Sequence, residues 1–390
     1  MKNKPSKNYP LAGIKVLELA RVLAGPWVGQ LLSDLGAEVI KVESPKGDET
    51  RTWGPPFIGK TSSSYFKSAN RGKKSIVADF NSKEDLQHIF ELSKRTDIII
   101  ENFKVNGLKK YQLDYKSIKK INPGIIYCSI TGFGQTGPLA KKPGYDFIIQ
   151  AMGGIMSLTG EKSYEPQKSG VAFADLFTGL YSTIAIQSAL ISRIRNNKGC
   201  HIDMSLFDTQ LGVLANQASS FLTTGIVPTR MGNSHPSIVP YQLFNAKNGT
   251  FILACGNDIQ FEKFCIEFGL NLHKEEEFNK NHLRVKNRDK LTSILSDFFK
   301  KLSKKEILHK LEKIGVPNGS INNIKQAFDE KQSKHRKMIK KINGESFLRT
   351  PILFDNLDLN YKNNAPELGE NTLEIKKKIK TAYFWKKDEI

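Results

Sequence analysis

The chain has 390 residues and carries 59 Lys and Arg against 39 Asp and Glu, a formal charge of +20. With 39% hydrophobic residues and 23 Phe it is too apolar for a disordered chain. At roughly 150 residues per domain it holds two to three domains. No apolar run approaches the ~20 residues that span a bilayer. The opening MKNKPSKNYPLAG has no apolar core of a secretory leader. The expectation is a cytoplasmic protein with no membrane partner.

Eleven of the 59 basic residues are Arg and the rest are Lys. Base-reading proteins lean on the planar Arg fork, so a nucleic-acid partner is not expected. A nucleic-acid-binding protein remains the alternative of another class that the +20 allows. Cys128, Cys200, Cys255 and Cys265 form no CxxC, and the seven His show no HxxxH spacing. No metal site and no disulfide framework are expected.

In chain order, residues 14–19 (IKVLEL) read as a buried strand. After a turn at Gly25-Pro26, Trp27, Leu31, Leu32 and Leu35 recur at helical spacing, with Gly36 at the C-terminal stop. Residues 38–43, 97–100 and 125–131 read as further strands, and 84–95 as a helix. Strands separated by helices of this length predict βαβ units and a mostly parallel sheet. Residues 172–195 read as one long helix, and 201–222 as mostly helical. From 241, YQLF and FILACG, joined by Lys247-Asn248-Gly249, predict a hairpin. Residues 288–314 read as helical. The basic run 301–341 keeps its apolar stripe and reads as a solvated face.

Three motifs hold chemistry. Gly132-Phe133-Gly134-Gln135-Thr136-Gly137 is a literal GxGxxG after a strand. However, Pro138 and Lys141-Lys142-Pro143-Gly144 follow where a dinucleotide fold opens a helix. It reads as a glycine loop that approaches a ligand closely. Asp175 stands near the start of an apolar helix. It can cap that helix, or act as a carboxylate nucleophile beside backbone donors, with Gly179 leaving room. Asp146, in Gly144-Tyr145-Asp146, reads as a turn or capping residue.

At these residues the chain resembles the class III CoA-transferases, the family of formyl-CoA and carnitine CoA-transferases and α-methylacyl-CoA racemases. LELARVLAGPWVGQLLSDLGAEVIKVE (17–43), ENF (101–103), ITGFGQTGP (130–138), GYD (144–146), Asp175 with Gly179, GNSHPSIVPYQLF (232–244) and GND (256–258) fall in family order. The resemblance implies an α/β fold: a Rossmann-like large domain built from both chain ends, plus an inserted smaller α+β domain. It also implies an interlocked homodimer. The boundaries read as 1–200 for the N-terminal part of the large domain, 201–225 for a linker helix and 226–326 for the small domain. A linker follows at 327–345, and 346–390 returns to the large domain.

The resemblance also implies coenzyme A, as an acyl-CoA substrate rather than a permanently bound cofactor, with a small carboxylic acid as the other substrate. Asp175 aligns with the family's catalytic aspartate, which passes through mixed-anhydride and aspartyl-CoA thioester intermediates. CoA-contacting positions by resemblance are Val22, Leu23, Ala24, Asn102 and Phe103, with Tyr145 and Asp146 of the GYD motif. Lys110 stands where relatives carry an Arg. Asn70, Arg71, Lys73 and Lys74 match a CoA-side segment and read equally as surface charge.

Tyr145 replaces the His that racemases use as a base, and phenols are poor general bases at neutral pH. A transferase is therefore expected, with a racemase as the alternative. Stretches such as 48–76, 143–146, 281–288 and 315–324 resemble the branch that uses succinyl-CoA and dicarboxylic acids such as glutarate. A dicarboxylate needs a cation for its distal carboxylate, and Arg51, Arg71 and Arg230 are the candidates.

Overall fold

The computed structural model describes residues 9–59, 62–359, 361, 363–381, 384 and 385. Among them, one compact unit is drawn from Met1–Ile155, Lys168–Gly225 and Lys337–Ile390. The other is drawn from Met156–Gln167 and Ile226–Arg336. The second unit therefore takes in a short stretch, 156–167, far from its main segment in sequence.

The first unit is built on six parallel strands. They are β1 (Lys15–Glu18), β2 (Glu38–Glu43), β3 (Lys74–Val77), β4 (Ile98–Glu101), β5 (Ile126–Thr131) and β6 (Cys200–Ser205). Their order is β3-β2-β1-β4-β5-β6. The order reverses between β1 and β4, which opens a crevice at the carboxyl ends of those strands.

Strand alternation divides the core. Val16, Ile98 and Ile100 join Val28, Leu32, Ile186 and Leu190, from the helices Ala24–Asp34 and Phe173–Asn196. Leu17 and Ile99 face the opposite way, with Ile89, Leu92, Ile118 and Ile375, from the helices Lys83–Arg95, Tyr115–Ile121 and Thr372–Ile379. A period of two sends neighbours to opposite faces. Each fully buried Ile or Leu contributes about 1.5–3 kcal/mol.

Some local expectations need correction. Gly25 and Pro26 form no separate turn; the helix already starts at Ala24. Proline is tolerated in a first helical turn because its missing N–H has no partner to lose. Residues 201–205 are not helical but form most of the edge strand β6, so 201–225 is not one linker helix. Its burial alternates along Cys200–Ser205, a period-two signal shared by an exposed His201 and Asp203. Helices Leu206–Gly212 and Ala215–Thr224 follow. The span 327–345 contains helix Lys331–His335 and one strand of a hairpin, β10 (Ile339–Ile342) and β11 (Glu345–Leu348), rather than plain linker.

The free side of β3 is covered from far along the chain. Ser75 N–H donates to Asn371 Oδ1 at 3.0 Å, and Asn371 N–H returns to the Ser75 carbonyl at 2.9 Å. Val77 N–H donates to Thr372 Oγ1 at 3.0 Å. This removes an open sheet edge.

In the second unit β7 (Tyr241–Ala246), β8 (Gly249–Ala254) and β9 (Asn318–Ser320) form an antiparallel sheet, with the expected hairpin. Phe244, Phe251, Phe264 and Phe299 pack ring on ring behind it. The helical span 288–314 divides into Arg288–Phe299 and Lys304–Lys313, because the Ser303 hydroxyl caps a new start at the Glu306 N–H. Arg284 is wholly buried: its guanidinium donates to the Val239 and Phe278 carbonyls and to Asp258 Oδ1, and lies over Phe261. The 281–288 and 256–258 motifs thus meet in a structural contact. Among the described residues, no helix is long and apolar enough to cross a membrane.

Candidate active site

The crevice at the ends of β1, β4 and β5 is a cleft within the first unit. Val22, Leu23 and Ala24 line it from the turn after β1, and Asn102 and Phe103 from the loop after β4. Thr131 and Gly132 follow β5, while Tyr145 and Asp175 complete the wall. Seven residues that the sequence nominated separately therefore share one cleft: Val22, Leu23, Ala24, Asn102, Phe103, Tyr145 and Asp175.

Glycines bring the motifs together. A Cβ on Gly132 would lie 2.7 Å from the Gly144 Cα, so only bare backbone allows this approach. The contact between the two loops carries Tyr145 into the cleft. Gly132, the first glycine of the GxGxxG, is thus both a loop-to-loop packing position and part of the cleft wall, and no helix opens until Asp146–Met152.

Asp175 is the third residue of helix Phe173–Asn196. Burial pushes its carboxyl up to about 7, and the charge of Asp146 adds to the rise. Asp146 does not cap its own helix. Its Oδ1 accepts the N–H groups of Ala174 at 2.8 Å and Asp175 at 3.3 Å, and its Oδ2 accepts from Gln150 Nε2 at 2.7 Å. The Phe173 N–H is taken by the Val171 carbonyl. The first-turn donors of this helix are therefore occupied, contrary to the expectation that they hold an oxyanion. The space at Gly179 is also used: a Cβ there would lie 2.9 Å from the Trp27 ring and 3.1 Å from the Ala24 carbonyl. That glycine lets two helices touch.

The turn after β1, which lines the same cleft as Asp175, is held in an unusual conformation. Val22 has φ +71, a left-handed value that a β-branched residue seldom adopts. Three contacts hold it. The Asn102 carboxamide accepts the Arg21 N–H at 3.0 Å and donates to the Arg21 carbonyl at 2.7 Å. Asp48 accepts the Val22 N–H at 3.2 Å. Asp48 is fixed in turn by the Thr50 N–H and hydroxyl and by Lys41 Nζ at 2.9 Å.

Lys41 belongs to a buried charge cluster beneath the turn. It also pairs with Glu18 at 3.1 Å, whose other oxygen meets Lys73 Nζ at 2.7 Å. The neighbouring carboxylates raise Lys41 against the burial that opposes its charge. Asp48 and Glu43 are held below the ordinary carboxylate range by Lys41 and Arg51 respectively, despite burial. Asp48, Glu49, Lys41 and Glu18 were not legible as site residues. The signal was EVIKVE itself, since a Lys inside a buried strand demands partners.

Several nominated residues lie outside the cleft lining. Asn70 is buried and bridges the Phe66 carbonyl and Lys73 Nζ. Arg71 is spent on Asp34, the Leu348 carbonyl and the rings of Phe347 and Tyr361. Lys73 sits in the buried cluster, and Lys74 pairs with Glu38. Arg51 is locked on Glu43 and lies over Phe66. Arg230, in the second unit, donates to the Glu161 and Tyr164 carbonyls. Burial within ion pairs is the common reason for Arg51, Arg71 and Lys73.

A second depression adjoins the first and shares Arg21 and Phe103 with it. Phe80 stacks on Phe103 at 6.2 Å and meets Tyr111 edge-on at 5.4 Å. Lys110 Nζ stands 4.5 Å from the Tyr111 ring centre. The second depression thus sets the rings of Phe80, Phe103 and Tyr111 against charged groups that include Lys41, Asp48 and Asp79.

The family model described as CoA-transferase family III matches residues 11–372. The chain belongs to this family. It is an enzyme of the CoA-transferase class. It is 45% identical over 393 residues to succinate–glutarate CoA-transferase of Agrobacterium fabrum, covering 98% of both chains. It is 41% identical to succinyl-CoA:glutarate CoA-transferase of Homo sapiens, over 95% of this chain and 86% of that one. A CAIB/BAIF family protein from Brucella suis superimposes with a TM-score of 0.87 at 56% identity, covering 96% of this chain and all of that one.

Proposed function

We propose that this chain moves coenzyme A from succinyl-CoA to a dicarboxylic acid of glutarate type, using Asp175 as the covalent nucleophile. The observation that carries the reading is Asp175 itself: a carboxylate that lines the cleft together with the held turn at Val22 and that burial pushes up to about 7. Burial raises the nucleophilicity of a carboxylate once it is ionised and keeps water from reactive acyl intermediates.

The exchange proceeds in four covalent steps. Ionised Asp175 attacks the thioester carbonyl, the C–S bond breaks and CoA thiolate leaves, giving a succinyl–aspartyl anhydride. The thiolate attacks the aspartyl carbonyl of that anhydride, releasing succinate and leaving an aspartyl-CoA thioester. The acceptor carboxylate displaces the thiolate and forms a new anhydride. The thiolate then attacks the acceptor's acyl carbon, and Asp175 is regenerated. The first turn of helix Ala24–Asp34, at Leu23 and Ala24, supplies the N–H groups for the developing oxyanions. The slot of Phe80, Phe103 and Tyr111 suits the adenine, and Lys110 beside it suits a CoA phosphate as a point charge.

The same reading makes the enzyme a cytoplasmic homodimer that is interlocked as in its family. Tyr181, Ile184, Ile191 and Ile194 recur at spacings of three and seven along helix Phe173–Asn196, and Ile194 is 71% exposed. An apolar stripe of this kind supports a second copy of the chain as its cover.

The test is a donor and acceptor matrix read by mass spectrometry, followed by hydroxylamine trapping of the enzyme in succinyl-CoA. Glutaryl-CoA formation and a hydroxamate on Asp175 are expected. A label on Asp146 or Glu101, or no transfer to any dicarboxylate, overturns the reading.

A further inference from the structure

Resting on that reading, we propose that Arg21 holds the distal carboxylate of the acyl chain, with Glu49 as its exchangeable counter-ion. Succinyl and glutaryl tails both end in a carboxylate, and both must pass through one cleft. Arg21 and Glu49 line that cleft. Their ion pair is 2.5 Å long, yet the side chains remain 50% and 45% exposed. A pair so exposed is worth about 0–1 kcal/mol. A substrate carboxylate can therefore take Glu49's place at little cost, and no extra charge is buried by the exchange.

The other candidate arginines are spoken for. Arg51 is held by Glu43 and the Pro366 carbonyl, and Arg71 by a two-pronged pair with Asp34. Lys104, Lys141 and Lys142 also line the cleft, but an ammonium is a point charge that accepts no fork geometry. Lys142 Nζ is turned toward Met152 Sδ at 3.8 Å and the Phe133 ring at 5.9 Å. Arg21 has a further qualification. The Asn102 carboxamide grips its backbone N–H and carbonyl together, so the root of the side chain is fixed while the fork, half exposed, is held by its pair with Glu49. A fixed root with an exposed fork suits a group that must serve two tails of different length.

The test compares glutarate with monomethyl glutarate as acceptors from succinyl-CoA, using the full-length wild type, Arg21→Met, Arg21→Lys and Glu49→Gln. A site built to pair a charged group rejects the analogue that lacks it, so wild type should prefer the diacid by about 100-fold or more in kcat/KM. Arg21→Met should collapse that preference to within a few fold while CoA affinity holds, and Arg21→Lys should restore part of it. Glu49→Gln should lower KM for glutarate. Arg21→Met with the wild-type preference intact would sink the assignment and leave the transferase reading standing. A wild type that makes no dicarboxylate thioester at all would instead overturn the dicarboxylate reading and the Arg21 role together.

Discussion

Asp146 Oδ1 accepts the backbone N–H of Asp175 at 3.3 Å, so one carboxylate anchors the peptide that carries the other. Its charge is felt by the Asp175 carboxyl, yet its oxygens are spent on Ala174, Asp175 and Gln150. The pair is asymmetric: one acid is structural and the other is presented to the cleft.

The pH dependence of the first half-reaction follows. Burial, and then Asp146, hold Asp175 up to about 7, and in the proposed mechanism only the ionised form attacks. The kcat/KM for succinyl-CoA should rise with pH and level off above about 7 in the wild type. Asp146→Asn removes the charge but keeps an oxygen for the Ala174 N–H. Its acidic limb should move to lower pH, and a limb that stays put or moves up contradicts the coupling.

Asp175 also exacts a stability cost with a definite sign. Burial holds its folded pKa at about 7, above the 3.8 of an ordinary Asp. Between those values the unfolded chain has lost the proton and the folded one keeps it, so stability falls as pH climbs. Asp175→Asn should therefore gain on the wild type between about pH 4 and 7 and hold a constant lead above. Allowing for solvent screening, the lead is roughly 2 kcal/mol. Urea melts at pH 4, 6 and 8 measure it.

Removing the grip on the held turn should be felt in catalysis more than in folding. Asn102→Ala deletes both hydrogen bonds to Arg21 and costs about 1–2 kcal/mol. With Val22 no longer held at φ +71, kcat should fall further than that stability loss explains. A variant with full kcat and reduced melting temperature alone would make Asn102 a purely structural residue.

Lys41 tests the buried cluster. Lys41→Met leaves Glu18 and Asp48 without that cation in a site from which water is excluded, and breaking a buried pair in this way costs about 3–5 kcal/mol. Denaturant melts should show the loss.

Association is checked by light scattering after gel filtration. The wild type is expected at twice the mass of one 43.8 kDa chain. Ile184→Glu with Ile191→Glu places two charges on the apolar stripe and should shift the population toward one chain, with loss of transfer activity.

The parallel sheet was legible because each strand is a short apolar run bounded by helical periodicity. β6 was not, because an edge strand with His201 and Asp203 on its open face has half the apolar signal of a buried one. The cleft was legible only through motif order, which placed Val22, Asn102, Tyr145 and Asp175 together without any local pattern to say so. Arg71 and Arg51 misled for the opposite reason. A guanidinium in sequence shows its charge but not the carboxylate that consumes it. Asp34 and Glu43 lie 37 and 8 residues away.

The cover over β3 has a consequence for how the protein is made. Val77 waits for Thr372, 295 residues further on. At ribosomal rates of about 5–20 residues per second, that is roughly 15–60 seconds with a sheet edge unpaired. The nascent chain must spend that interval shielded by a chaperone, or risk finding its missing partner on a neighbouring polysome.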